Sequence, residues 1–280
     1  NPYIFKIWAY HKNFRELIPE LKKEHFDYIV DLHKNFRSAT VRLRLLRHGR
    51  SFSKLDIRKW LLVKFKINLL PEIHIVDRYF QAVKKLNVHN DGQGLDFFIP
   101  PEEEFSLSRF PEKFRNGYIA IVTGGRHLTK ILPAGLLIRI VEGLKLPVIL
   151  LGGKEDEDRA KNLEQHFKES VLNTCGTLSI GQSASVVRQA SGVLTNDTGL
   201  MHIAAAFRKP VASVWGNTVP ELGMYPYMPG PDRNKSAIFE VKGLSCRPCS
   251  KLGYKQCPKK HFRCMLLQDT AAIIQFLNRY

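Results

Sequence analysis

Short β-branched runs alternate with stretches of helical period along most of this 280-residue chain, and that alternation constrains its fold more than any other feature. Strands are predicted at 28–30, 118–122, 147–151, 192–194 and 211–214, with helical patterns at 38–48, 133–145, 155–169, 179–190 and 200–206. Repeated βα units bury their strands in a parallel sheet covered by helices. Pro133 suits a first helical turn, where its missing N–H costs nothing. The rhythm breaks between His89 and Asn116, where Asp91-Gly92-Gln93-Gly94, Pro100-Pro101 and Pro111 supply turn and linker chemistry. The expected division is an N-terminal α/β domain at 1–100, a linker at 101–116 and a second α/β domain at 117–268. The closing helix, 269–280, could pack on the second domain or back on the first.

Composition narrows the class. An apolar fraction of 44% with 25% charged residues excludes a disordered chain, a collagen and a disulfide knot. No run approaches the roughly 18 apolar residues of a spanning helix, and the charged opening has no signal-peptide core. The chain therefore reads as soluble and not secreted. It opens on Asn1-Pro2 rather than Met, which reads as a fragment or a processed form.

The net charge of +17 is concentrated. Residues 34–66 hold eleven Lys and Arg against Asp56 alone, and residues 232–280 hold ten against Asp232, Glu240 and Asp269; the remainder is neutral. Two basic zones call for an anionic partner: a nucleic acid, an anionic lipid surface or a phosphorylated substrate. In the first zone Arg37, Arg44 and Arg47 share a helical face, with Val41 and Leu45 turned to a core. Lys34 and Arg37 follow the strand end at Asp31.

Three strand-end loops carry the chemistry. Leu194-Thr195-Asn196 leads into Asp197-Thr198-Gly199, and a small-residue helix begins at once with His202 one turn in. Ligands of open α/β sheets sit at this carboxyl edge, and a helix N-terminus seats phosphate. Thr123-Gly124-Gly125-Arg126 follows an earlier strand, and Lys130 lies just beyond. Leu151-Gly152-Gly153-Lys154-Glu155 follows a third, with an acid placed to hold a ribose diol. The chain has neither a G-x-G-x-x-G nor a P-loop sequence, which argues against a dinucleotide dehydrogenase or a P-loop kinase. Cys246, Cys249, Cys257 and Cys264, with His261 nearby, have a ligand count suited to structural zinc, although their spacing fits no standard pattern. Reduced thiols or disulfides are the other readings.

Several passages resemble the ADP-heptose:lipopolysaccharide heptosyltransferases, glycosyltransferase family 9. They are Asp27 to Ala39 (Asp-Tyr-Ile-Val-Asp-Leu-His-Lys-Asn-Phe-Arg-Ser-Ala), Lys130-Ile131-Leu132-Pro133, Cys175 to Ile180, and Asn196 to His202. The Cys246-x-x-Cys249 and Cys264-Met265 ending is similar to many members. Leu132 stands where tryptophan is usual.

The resemblance implies a GT-B architecture: two Rossmann-like domains with parallel sheets facing across a cleft that holds the active site. It implies an inverting glycosyltransferase that moves a heptose from ADP-heptose, with no obligatory cofactor, to the inner core in lipopolysaccharide biosynthesis. By position, Thr123, Gly124, Lys130, Glu155, Asp197, Thr198, Gly199 and His202 would bind the donor. Lys130 would meet the diphosphate, Glu155 the ribose and Asp197 the heptose. Lys34 and Arg37 would bind an anionic lipid-linked saccharide acceptor. The expected location is cytoplasmic, peripheral to the inner face of the bacterial inner membrane, with the charge serving acceptor and anionic membrane and no nucleic acid bound. The family's first strand and its Gly-Asp loop, home of the proposed base, have no counterpart here, so no catalytic base is assigned. Two other readings are a GT-B enzyme using a different sugar nucleotide and a basic nucleic-acid-binding protein.

Overall fold

A computed structural model describes residues 1–280. The chain forms two compact units: Asn1–Asp56 with Pro71–Asp91, and Ile57–Leu70 with Gly92–Tyr280.

The first unit contains α1 (Phe14–Lys23), β1 (Ile29–Asp31), α2 (Phe36–Leu45) and β2 (Gly49–Ser51). Next comes α3 (Asp56–Phe65), which belongs to the second unit apart from its first residue, and then α4 (Ile75–Val83). β1 and β2 pair in parallel, Ile29 opposite Gly49 and Asp31 opposite Ser51. The small core holds Ile18, Leu45, Phe52 and Ala82, with Phe52 edge-on to Tyr79 at 4.8 Å. Asn35 and Ser38 form a capping box that starts α2. Leu46 ends that helix in the left-handed region, so Arg47 lies past it. The expected face of three arginines therefore reduces to Arg37 and Arg44, which lie over the rings of Tyr10 and Phe14.

The second unit carries β3 (Ile119–Val122), α5 (Ala134–Gly143), β4 (Val148–Leu151), α6 (Glu157–Phe167), β5 (Val171–Asn173) and α7 (Ile180–Gln189). It continues with β6 (Gly192–Asn196), α8 (Gly199–Ala206), β7 (Val211–Trp215), β8 (Ser236–Glu240), α9 (Arg263–Leu266) and α10 (Thr270–Leu277). All six strands are parallel, in the order β5-β4-β3-β6-β7-β8. Alternate residues feed two cores on opposite faces. Ile119, Ile121, Leu150 and Leu194 point one way, and Tyr118, Ala120, Ile149 and Val193 the other. Burial on both faces is why these strands read as near-continuous apolar runs.

Two expected connections are packed elements of this unit. Residues 101–116, read as a linker, place Phe105, Phe110 and Phe114 in the second core. Glu104 accepts from Ser185 at 2.9 Å and from Arg188 at 2.6 Å. Proline and glycine mark turns, but the phenylalanines between them decide where the segment lies. Of the two seats open to the closing helix, α10 takes the one on this unit. Ile273, Phe276 and Leu277 enter the first core, and Asn278 donates to Gly143 at 2.8 Å.

Candidate active site

The strand order reverses direction between β3 and β6, whose successors leave toward opposite edges of the sheet. Such a switch point opens a crevice beyond the strand ends. The loops after β3 and β6 are the two that flank it, and Asn196 binds them together. Its buried amide donates to the carbonyls of Val122 and Gly124, each at 3.2 Å, and accepts from Leu132 N–H at 3.3 Å. One side chain thus fixes the β3 loop and the lysine-bearing turn relative to Asp197.

Lys130 reaches across this frame to Asp197. Nζ lies 2.5 Å from Oδ2, and both side chains are mostly shielded, at 15% and 13% exposure. Thr218 Oγ1 donates to the same carboxylate oxygen at 3.0 Å. Losing either partner of so shielded a pair strands the other charge. Beside it, Thr198 is the N-cap of α8 in extended conformation, and no side chain caps the helix. The first-turn N–H groups of α8 therefore present a positive dipole end suited to an oxyanion. Thr198 Oγ1 instead faces Thr195 Oγ1 at 3.3 Å. Burial pushes the His202 imidazole below its usual value; Asp197 opposes that shift and Lys130 adds to it. His202 is thereby favoured as a neutral hydrogen-bonding group one turn into α8.

Thr218 owes its position to Arg247. The arginine donates to Gly216 O at 2.6 Å, Thr218 O at 2.9 Å and Val241 O at 2.7 Å, and its charge meets Glu240 at 2.8 Å. Cys249 N–H adds a bond to Asn217 O at 3.0 Å. The cysteine-flanked segment therefore clamps the turn after β7. Neither Thr218 nor Arg247 is marked by the sequence: a single glycine, Gly216, precedes Thr218 after β7, and Arg247 lies among the cysteines.

The remaining expected site residues fall unevenly. Thr123 is fully buried, and its hydroxyl bonds to Leu151 O at 3.3 Å and Cys175 Sγ at 3.4 Å, so that hydroxyl is turned into the sheet. Gly124 is required by packing: a Cβ there would lie 1.7 Å from Asp156 Oδ2. Asp156 is the acid that turns inward after β4, accepting from Gly153 N–H at 3.0 Å, with burial raising its carboxyl. Glu155 beside it stays exposed. A Cβ on Gly125 would rest 3.5 Å from Thr198 Cγ2, so the β3 and β6 loops adjoin. Lys34 and Arg37 belong to the first unit and are exposed. The Lys34 backbone is left-handed, held by its N–H bond to Asp31 Oδ1 at 2.7 Å.

The four cysteines considered for zinc lie near one another, with Cys246, Cys249 and Cys257 all close enough to Cys264 to raise its thiol. No group of three His, Cys, Asp or Glu residues is arranged to hold an ion, and all five cysteines are free thiols. Cys249 Sγ is committed to Cys246 O at 3.0 Å, and Cys246 meets His261 at 3.7 Å.

A parallel sheet whose switch point gathers a lysine, a carboxylate and an uncapped helix start marks a nucleotide-binding α/β unit, and likeness to solved heptosyltransferases over 95% of the chain makes the fold GT-B. The chain belongs to glycosyltransferase family 9 (heptosyltransferase), whose model matches residues 14–260. It is 32% identical over 78 residues to lipooligosaccharide heptosyltransferase 2 of Haemophilus influenzae, covering 26% of this chain and 22% of that protein. Over a longer stretch it is 26% identical across 226 residues to lipopolysaccharide heptosyltransferase 1 of Escherichia coli K12, covering 77% of this chain and 68% of the relative. The first of these matches thus spans less than a quarter of its relative's length. Among solved structures it resembles E. coli ADP-heptose LPS heptosyltransferase II, with TM-score 0.67 and 17% identity over 95% of this chain and 79% of that one. No helix is long and apolar enough to cross a membrane.

Proposed function

We propose that this protein is an inverting glycosyltransferase that transfers a heptose from ADP-heptose to a lipid-linked lipopolysaccharide inner-core acceptor. The observation that carries the reading is the shielded Lys130–Asp197 pair beside the N-terminus of α8 at the switch point. In such a transfer an acceptor hydroxyl gives its proton to a general base, which none of the assigned residues supplies, and attacks the anomeric carbon; the bond to the diphosphate oxygen breaks, and negative charge builds on the leaving ADP. A fixed ammonium and oriented N–H groups stabilise that charge without reorganising. Lys130 and the start of α8 suit this task, Asp197 suits sugar hydroxyls, and His202 completes the wall. Thr218 holds Asp197 in place while the donor is bound. For the acceptor, Lys34 and Arg37 supply exposed positive charge next to a strand end, and contact with an anionic membrane would be peripheral.

Turnover of ADP-heptose with a lipid A-type acceptor tests the reading. Thermal shift against ADP, UDP, GDP and a short RNA separates it from its rivals. Stabilisation by ADP above the other two nucleotides is expected. Preferential stabilisation by UDP, GDP or RNA would overturn the donor assignment.

A further inference from the structure

Helix α3 and the residues after it combine features that neither the core nor the site uses. Ile57–Leu70 belongs to the second unit and carries four cations and no acid. Five large apolar side chains in this one segment stay in water: Ile57 is 76% exposed, and Trp60, Phe65, Ile67 and Leu69 are about half exposed. Trp60 and Phe65 meet edge to face at 5.2 Å, and Lys64 Nζ lies over both rings, at 5.3 and 5.7 Å. Its charge is met by ring faces and not by a carboxylate. Arg58 folds the tail back by donating to Leu69 O at 3.2 Å, which gathers the exposed groups into one patch.

The opposite face is an anchor. Leu62 is buried against Val219 and Leu222, and Lys66 Nζ donates to Pro248 O at 2.7 Å. Val219 directly follows Thr218, whose hydroxyl holds Asp197. Pro248 directly follows Arg247, which clamps the same turn. The patch is thus carried by the elements that build the site.

We propose that this segment is a membrane-docking surface that seats the protein on a bilayer containing anionic lipid. Exposed aromatic and aliphatic side chains interleaved with cations, on a segment anchored by its other face, suit a bilayer interface. The rings enter the headgroup boundary while Arg58 and Lys64 meet lipid phosphate, Lys66 being held at Pro248. Four cations against the single acid Asp56 select an anionic over a neutral surface, because each cation near such a surface adds to binding and salt screens it. The purpose of docking rests on the lipid-linked acceptor proposed above; the binding itself does not.

Co-sedimentation with phosphatidylcholine vesicles, with and without phosphatidylglycerol, tests the proposal. The parent protein should bind the anionic vesicles, release with rising salt, and show a blue shift of tryptophan emission that Trp60→Phe removes. The double variant Trp60→Ala/Phe65→Ala should bind them about tenfold more weakly or worse, since it loses two interfacial rings, with ADP affinity unchanged. Parent-like vesicle binding by the double variant would overturn the proposal. So would failure of the parent to bind anionic vesicles, or a parent dimer that the double variant dissociates, since a second copy would then cover the patch. Vesicle binding without any ADP affinity would sink the transferase reading and leave this one standing.

Discussion

Thr218 donates its hydroxyl to Asp197 Oδ2 at 3.0 Å, on the same oxygen that Lys130 holds at 2.5 Å. The two residues lie in the loops after neighbouring strands, β6 and β7, and Arg247 fixes the turn that carries Thr218. Replacing Thr218 by Val keeps the shape and removes one bond to a charged acceptor, worth about 1.5–3 kcal/mol. Donor affinity or turnover should fall roughly ten- to a hundredfold with the fold retained. Parent-like kinetics for Thr218→Val would show that Asp197 is held without it.

Lys130→Ala should weaken ADP binding roughly ten- to a hundredfold and leave adenosine nearly unaffected, because a charge-assisted contact is lost only to the phosphates. Calorimetry with the two ligands measures the difference. For the partner, Asp197→Asn is the informative change. Asp197→Ala would leave the shielded Lys130 ammonium unpaired and confuse lost function with lost stability.

Acid should loosen the first unit at Asp31. Burial pushes its carboxyl up, but hydrogen bonds from the backbone of Lys34 and His33 and from the Ser38 hydroxyl outweigh burial and hold it below the ordinary carboxylate value. A depressed carboxyl contributes stability that is present above the unfolded value and lost as pH falls through the folded one. The protection factor of the Lys34 amide, taken against the intrinsic exchange rate at each pH, should therefore fall below about pH 4, and Asp31→Asn should flatten that dependence while weakening the turn at neutral pH. A protection factor at Lys34 that is insensitive to acid in the parent would refute the account.

Three thiols should label slowly. Burial pushes Cys175, Cys249 and Cys264 up to about 11, so about one in ten thousand is thiolate at neutral pH. Iodoacetamide mapping by mass spectrometry should find them largely unmodified at pH 7 in the folded protein and modified after denaturation. Rapid labelling of Cys249 in the native state would show that the Cys246–Cys249 segment opens, and with it the clamp on Thr218.

The residue pattern alone determines four of the six strands of the main sheet. β3, β4, β6 and β7 are buried on both faces, so each needs an unbroken apolar run that shows in the chain. The motif from Asn196 to His202 is legible for a related reason: a strand end, a turn and a helix start are local, and their residue types follow from local geometry. β2 and β5 are three residues each, and their pairing depends on a neighbour supplied from elsewhere in the chain. Only tertiary structure placed α3 with the second unit, since the buried contact of Leu62 is with Val219 and Leu222 far along the sequence. It also decided that Asp156 rather than Glu155 turns inward, and that Arg247 governs Thr218. Those outcomes depend on which distant backbone carbonyls and side chains arrive together, and hydrogen bonds across such separations leave no periodicity in a sequence.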